Sequence, residues 1–173
     1  LGETGLDFYY ENSSKLSQEI SFRAHIAASR SSGLPVIVHS RNADEDTIRI
    51  LRDEYRIGPF TGVIHCFSSG IELAEAAMEL GFYISISGII TFKTANALRD
   101  IVCSLPIERL LIETDSPYLA PVPNRGKRNE PAFVLHTAKK IAELKKIEPF
   151  ELGRITTENF YKLFKKVNPR SIV

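Results

Sequence analysis

The sequence lacks the features that would place it in a membrane, on a secretory route or in a disulfide-rich class. No apolar run approaches the roughly 18 to 20 residues that span a bilayer, and the first residues lack the basic-then-apolar order of a signal peptide. Its two cysteines, Cys66 and Cys103, have neither zinc-ribbon nor redox spacing. We therefore expect a cytoplasmic protein that has no membrane partner.

Strong net charge is also absent, since the formal charge is +1. An anionic partner would have to be held by a local group of basic residues, because the overall field is weak. Apolar residues are plentiful at 43% of 173 residues, which is enough for one buried core. We expect a single domain over residues 1–173.

Short apolar runs alternate with longer helical patterns along the chain. The runs are nearly continuous in apolar character, as expected of parallel strands that are covered on both faces. The predicted strands are residues 36–38, 62–64, 82–87 and 110–112, and the predicted helices are residues 15–30, 43–55, 71–80, 95–102, 131–145 and 149–166. This order predicts an α/β fold, but it does not choose between an open doubly wound sheet and a closed barrel.

Side chains that can bind a metal ion follow several of these runs. His39 and His65 each come directly after a predicted strand, Asp115 follows the fourth run, and Glu3 stands at the start of the chain. In a (β/α)8 barrel the carboxyl ends of the strands meet at one mouth, where catalytic groups lie. The intervals suit successive units of about 31 residues, with one unit skipped before Asp115. We therefore expect these residues to form one site.

The mixture of imidazole and carboxylate groups suits Zn²⁺, Mn²⁺ or a similar divalent ion. Such an ion activates water and polarises a phosphoryl or carbonyl oxygen, so the predicted chemistry is hydrolysis of a bond that the ligands alone do not identify. A single histidine after a strand is more often structural. Four ligand-type residues at positions expected to meet favour a metal site instead.

Four ordered motifs carry a resemblance to a known family. They are Gly2-Glu3-Thr4-Gly5-Leu6-Asp7, Val38-His39-Ser40-Arg41, Gly62-Val63-Ile64-His65-Cys66-Phe67 and Glu113-Thr114-Asp115-Ser116-Pro117-Tyr118-Leu119. Together with residues 123–131, they make the chain resemble the TatD family of deoxyribonucleases from Leu1 to about Phe164. The resemblance implies a TIM (β/α)8-type barrel of the metallo-dependent hydrolase group.

The same resemblance implies roles for the candidate residues. Glu3 is similar to the carboxylate that bridges two metals, while His39 and His65 match the imidazoles of one metal. Asp115 matches the carboxylate near the nucleophilic water, so that Asp115 and Glu3 are the implied catalytic carboxylates. All four are implied metal ligands, for divalent ions that number two in the full-length protein and are Mg²⁺, Mn²⁺ or Zn²⁺.

The chain departs from the family at its start. Members usually begin with a strand that ends in His-x-His, and this triplet does not occur in the sequence. We therefore expect the C-terminal two-thirds of a TatD-like barrel, incomplete and lacking roughly the first three βα units. The exposed strand edges of such an arc would favour self-association.

Two arginines near the motifs predict contacts with phosphate. Arg41 lies just beyond His39, and Arg125 lies in the segment 123–131 that follows the Asp115 strand. Contacts with backbone phosphates hold a nucleic acid without reading its sequence. With the resemblance, they predict an exonuclease-like deoxyribonuclease whose partner is single-stranded or end-frayed DNA of little sequence preference.

Two other functions stay open. The same site would serve an amide or ester hydrolase of the amidohydrolase type, although those commonly use a carbamylated lysine where this chain has Glu3, and no predicted strand ends in lysine. Alternatively, the chain is a catalytically impaired fragment that acts only as an interaction module.

Overall fold

The computed structural model of the chain describes residues 1–10 and 12–168. Within this range the strands and α-helices alternate, which confirms the predicted α/β class. The elements are β1 (Thr4–Asp7), α1 (Lys15–Ser32), β2 (Val36–Arg41), α2 (Asp44–Ile57), β3 (Gly62–Ile64), α3 (Ile71–Glu79), β4 (Tyr83–Ile86), α4 (Asn96–Ser104), β5 (Leu110–Ile112), α5 (Val134–Lys145) and α6 (Pro149–Leu163). The chain divides into two compact units, and the boundary falls between Ile84 and Ser85 in β4.

The first unit is built on a parallel sheet. Strand β1 pairs with β2, β2 pairs with β3, and β3 pairs with the first residues of β4, all in parallel. Helices α1 and α2 pack against this sheet and each other, and α3 packs on α2. The large fully buried side chains of the unit come from both layers and include Leu6, Phe22, Ile26, Val36, Val38, Ile50, Leu51, Ile64, Phe67, Leu73, Phe82 and Ile84.

Helices α1 and α2 are joined by a buried carboxylate. Glu54 on α2 has a side chain that is only 7% exposed, and it forms ion pairs of 2.9 Å with Arg23 and 3.0 Å with Arg30, both on α1. A buried charge is tolerated when it is paired in this way. The helix α1 itself begins after Ser14, whose side chain accepts a hydrogen bond from the amide of Ser17, as an N-cap does.

The second unit surrounds β5 with helices. The amide of Glu113 donates to the carbonyl of Ile86 at 3.1 Å, which places the end of β4 beside β5. Helix α6 packs on β5, and α5 packs on α4 and α6. The buried amide of Asn159 on α6 donates to the carbonyls of Ile107 and Leu110 and so holds the helix against the strand. The fully buried apolar side chains of this unit are Ile86, Ile90, Val102, Leu110, Ile141 and Leu152.

One predicted strand end is wrong and one strand was not predicted. Strand β2 continues to Arg41, so that His39 lies inside it, whereas the prediction ended the strand before His39. Strand β1, Thr4–Asp7, was not among the predicted strands, and Glu3 lies just before it. The reason is that β1 and β2 hydrogen bond through the pair Asp7 and Arg41, beyond the apolar run that the prediction used. In the described part of the chain, no helix has the length and apolar content to span a membrane.

We expect Gly5→Ala to lower the free energy of unfolding by about 3 kcal/mol in urea denaturation. A Cβ at Gly5 would lie 2.0 Å from the carbonyl oxygen of His39. The backbone at Gly5 has φ +142, a conformation that residues other than glycine rarely adopt. The matched control is Gly153→Ala in α6, where a Cβ meets nothing within 4 Å and should stabilise by about 0.5 to 1 kcal/mol. A Gly5→Ala variant as stable as the wild type would contradict the close approach of β1 and β2.

Candidate metal centre

The pairing of β1 and β2 brings one imidazole between two carboxylates. Side chains alternate along a strand, so Glu3 and Asp7 share a face with Gly5 between them. Gly5 is paired with His39 in the parallel register. The ring of His39 therefore has a carboxylate on each side along the neighbouring strand.

The distances show that both contacts are made. Atom Nδ1 of His39 lies 3.1 Å from Oε1 of Glu3, and Nε2 of His39 lies 3.1 Å from Oδ2 of Asp7. His65 directly follows β3, and its Nε2 lies 3.8 Å from the same Oε1 of Glu3. The side chain of Glu3 is 50% exposed, so a ligand can reach this group from solvent.

Asp7 is held on every side by hydrogen bonds. Its Oδ1 accepts the amides of Tyr9 and Tyr10 at 2.9 and 3.0 Å, while the side chain of Gln18 accepts from its amide and donates to its carbonyl. Burial alone would raise the pKa of Asp7, but the two tyrosine amides and His39 outweigh it and hold that pKa below its ordinary value. Asp7 therefore presents a charged carboxylate in a fixed position to His39.

The donor types suit a divalent metal ion. Two ligand atoms bonded to one Zn²⁺ at 2.0 to 2.2 Å in tetrahedral geometry lie about 3.3 Å apart. The separations from Glu3 Oε1 to the two imidazoles, 3.1 and 3.8 Å, are near that value, but the ligand atoms of Glu3, His39 and His65 do not all lie within 4.8 Å of one another, so one ion bound by all three requires the side chains to move closer. A carboxylate behind a ligating imidazole, as Asp7 lies behind His39, is the usual outer partner that fixes the orientation of the ring.

Asp115 lies in the second unit, three residues beyond β5. Its backbone is left-handed, with φ 58, a conformation that aspartate tolerates better than most residues. The amide of Tyr118 donates to its carbonyl at 2.8 Å, and buried Asn129 donates to the carbonyls of Thr114 and Tyr118 at 2.8 and 2.6 Å. The loop that carries Asp115 is thus held in one conformation.

The two arginines predicted to contact phosphate each lie on aromatic rings. The guanidinium of Arg41 is 4.2 Å from the ring of Tyr9 and 4.7 Å from the ring of Tyr10, in the first unit. Arg125 in the second unit is 3.8 Å from the ring of Phe92. A stacked guanidinium keeps its N–H edges available for an anion. Arg41 also lines a cleft of about 660 Å³ in the first unit.

Glu3, His39 and His65 lie near one another in the first unit, and the sequence analysis did not name the groups that hold them there. Asp7 was detectable, because the alternation of Glu3, Gly5 and Asp7 puts both carboxylates on one face of a strand. No local pattern indicated Asn129, whose partners lie more than ten residues away in the chain.

Imidazole and carboxylate groups thus lie together on neighbouring strands of a parallel α/β sheet, as in the barrel proteins whose functional groups collect at the strand ends. The family model described as TatD related DNase matches residues 1–165. The chain belongs to this family, as the sequence motifs predicted.

Named relatives agree with this family. The Escherichia coli K12 protein named uncharacterized metal-dependent hydrolase YcfH is 52% identical over 164 residues, which are 95% of this chain and 62% of that protein. The Bacillus subtilis protein named uncharacterized metal-dependent hydrolase YabD is 44% identical over 167 residues, with shares of 95% and 64%. The chain therefore spans about three fifths of the length of these curated relatives.

A solved structure supports the fold. The crystal structure of YJJV, a TatD homolog from Escherichia coli K12, matches with a TM-score of 0.86 at 28% identity, over 96% of this chain and 63% of that chain. The parallel α/β arrangement is thus that of the TatD-type barrel proteins.

We expect Asp7→Asn to weaken Mn²⁺ binding about 10- to 100-fold in isothermal titration calorimetry. Asparagine has one acceptor oxygen, so it cannot serve both the tyrosine amides and His39 as the two carboxylate oxygens do. Glu79→Gln, which alters an exposed carboxylate paired with Arg52, is the control and should bind Mn²⁺ as the wild type does. Unchanged affinity in Asp7→Asn would show that Asp7 does not position His39 for a metal.

Proposed function

We propose that this chain belongs to a metal-dependent phosphodiesterase that removes nucleotides from an end of DNA. The observation that carries the proposal is the approach of two imidazoles, His39 and His65, to one oxygen of Glu3 in a chain of the TatD related DNase family. Imidazole and carboxylate donors suit Zn²⁺ or Mn²⁺. We include Mg²⁺ among the proposed ions.

Glu3, His39 and His65 would hold a divalent ion, which would supply an activated water and charge stabilisation at the phosphoryl oxygens. Asp7 keeps the ring of His39 in a fixed orientation. Asp115 would accept the proton of the attacking water, a role that requires an ionised carboxylate. The loop around Asp115 is held by the hydrogen bonds of Asn129 and Tyr118, which supports a fixed position for this carboxylate.

The substrate in this proposal is single-stranded or end-frayed DNA. Arg41 and Arg125 contact its phosphates, and their stacking on tyrosine and phenylalanine rings holds each guanidinium in place without using its donors. Because phosphates carry no sequence information, cleavage would tolerate many sequences.

We also propose that the chain forms a single domain of the TIM (β/α)8 type and that the full-length protein binds two ions. The five strands in residues 1–10 and 12–168 and the match to the YJJV structure support the barrel fold. Strand β1 pairs with β2 alone among the described strands, and such an edge favours the predicted self-association.

We expect Asp115→Asn to lower the Mn²⁺-dependent release of nucleotides from a fluorescent DNA strand by at least about 100-fold, since asparagine cannot accept the proton. Asparagine tolerates the left-handed backbone at this position, so circular dichroism should report an unchanged fold. Asp100→Asn on α4 is the control. Turnover of Asp115→Asn near the wild-type rate, measured in the intact protein, would remove Asp115 from the mechanism.

We expect Arg41→Gln to weaken binding of an oligothymidine in EDTA and to reduce the dependence of log affinity on log salt by about 0.7, the value for one phosphate contact. The measurement is fluorescence anisotropy over a series of KCl concentrations. Arg52→Gln removes the same charge from α2, where Arg52 is paired with Glu79 at 2.7 Å, and should leave the slope unchanged. Equal slopes for Arg41→Gln and wild type would contradict the phosphate contact.

A further inference from the structure

Two neighbouring tyrosines beside the candidate metal centre expose most of their side chains to solvent. Tyr9 and Tyr10 follow β1 directly and are 57% and 59% exposed. Their rings meet edge to face, with centroids 4.8 Å apart and an interplanar angle of 90°. In the proposed function these rings only support Arg41, which leaves their large exposed surface without a role of its own.

The backbone beneath these rings is fixed. Both tyrosine amides donate to Oδ1 of Asp7, and the guanidinium of Arg41 lies over both rings. Rings that are held before a ligand arrives lose little conformational freedom on binding. Tyr9 and Tyr10 are therefore a preorganised surface, attached through Asp7 to the imidazole of His39.

The guanidinium of Arg41 lies over both rings and supplies the positive charge beside them. The cleft that Arg41 lines also contains Lys15 and the carboxylates of Asp44, Glu45 and Asp46, so the attraction for an anion is local to Arg41. Flat aromatic faces together with cations are the combination that binds single-stranded nucleic acid, in which bases stack on rings and phosphates meet basic groups. In a duplex only the outer face of the terminal base pair is free and the strand is stiff, so unpaired bases offer more surface to two rings than a paired end does.

The geometry points to a single-stranded nucleic acid site formed by Tyr9, Tyr10 and Arg41, which holds unpaired bases next to the metal centre. This inference deepens the proposed function and rests on it for the identity of the bound strand as substrate. Because the two rings are perpendicular, bases that stack on them cannot stay stacked on each other. The site therefore prefers bases that unstack readily, thymine over adenine, and it excludes paired ends.

The test measures binding of fluorescent oligonucleotides of about 12 nucleotides in EDTA by anisotropy, so that no cleavage occurs. We expect oligothymidine to bind more tightly than oligoadenine, and both more tightly than a blunt duplex. Tyr9→Leu and Tyr10→Leu should each weaken oligothymidine binding about fivefold or more, while Tyr9→Phe and Tyr10→Phe stay within about twofold because they keep the ring. Phe150→Leu, at an 86% exposed ring on α6, should have no effect.

Mn²⁺ affinity and circular dichroism of the leucine variants report whether the metal centre and fold survive, and both should be unchanged because the tyrosines contact Asp7 through backbone amides. The stacking site is overturned if the leucine variants bind oligothymidine as tightly as the wild type does. It is also overturned if the phenylalanine variants lose as much affinity as the leucine variants. If the wild type binds oligothymidine through Tyr9 and Tyr10 but does not cleave DNA with Mn²⁺, the stacking site stands and the nuclease proposal fails.

Discussion

The structure of the candidate centre depends on the parallel register that pairs Gly5 with His39. That pairing puts Glu3 on one side of the imidazole and Asp7 on the other, each 3.1 Å from a ring nitrogen. A shift of one residue along β1 would turn both carboxylates to the opposite face of the sheet. The close approach of the two backbones at Gly5 excludes a side chain there, so the register and the glycine depend on each other.

Asp7 connects the candidate metal centre to the neighbouring tyrosines. One of its oxygens faces His39 and the other accepts the amides of Tyr9 and Tyr10. The residue that orients a proposed metal ligand therefore also fixes the backbone of the proposed base-stacking site. In this account, the binding of DNA and the geometry of the metal ligands are coupled through one carboxylate.

The sequence was sufficient to predict the α/β class, because buried parallel strands are apolar throughout. It also pointed to Glu3, His39 and His65, which lie near one another although Glu3 precedes β1 and His39 lies inside β2 rather than at its carboxyl end. It was insufficient for the extent of β1 and β2, because main-chain pairing continues through polar residues such as Asp7 and Arg41. Likewise, the contacts of Asn129 and the stacking of Arg125 on Phe92 join residues far apart in the chain, which no local pattern reveals.

Anomalous diffraction at the manganese absorption edge, from crystals of the protein grown with Mn²⁺, tests most directly whether Glu3, His39 and His65 bind a metal ion. The account predicts an anomalous peak within about 2.0 to 2.3 Å of a carboxylate oxygen of Glu3 and of one nitrogen each of His39 and His65, with Asp7 hydrogen bonded to the far nitrogen of His39. A fully bound Mn²⁺ that none of these three side chains contacts would contradict it.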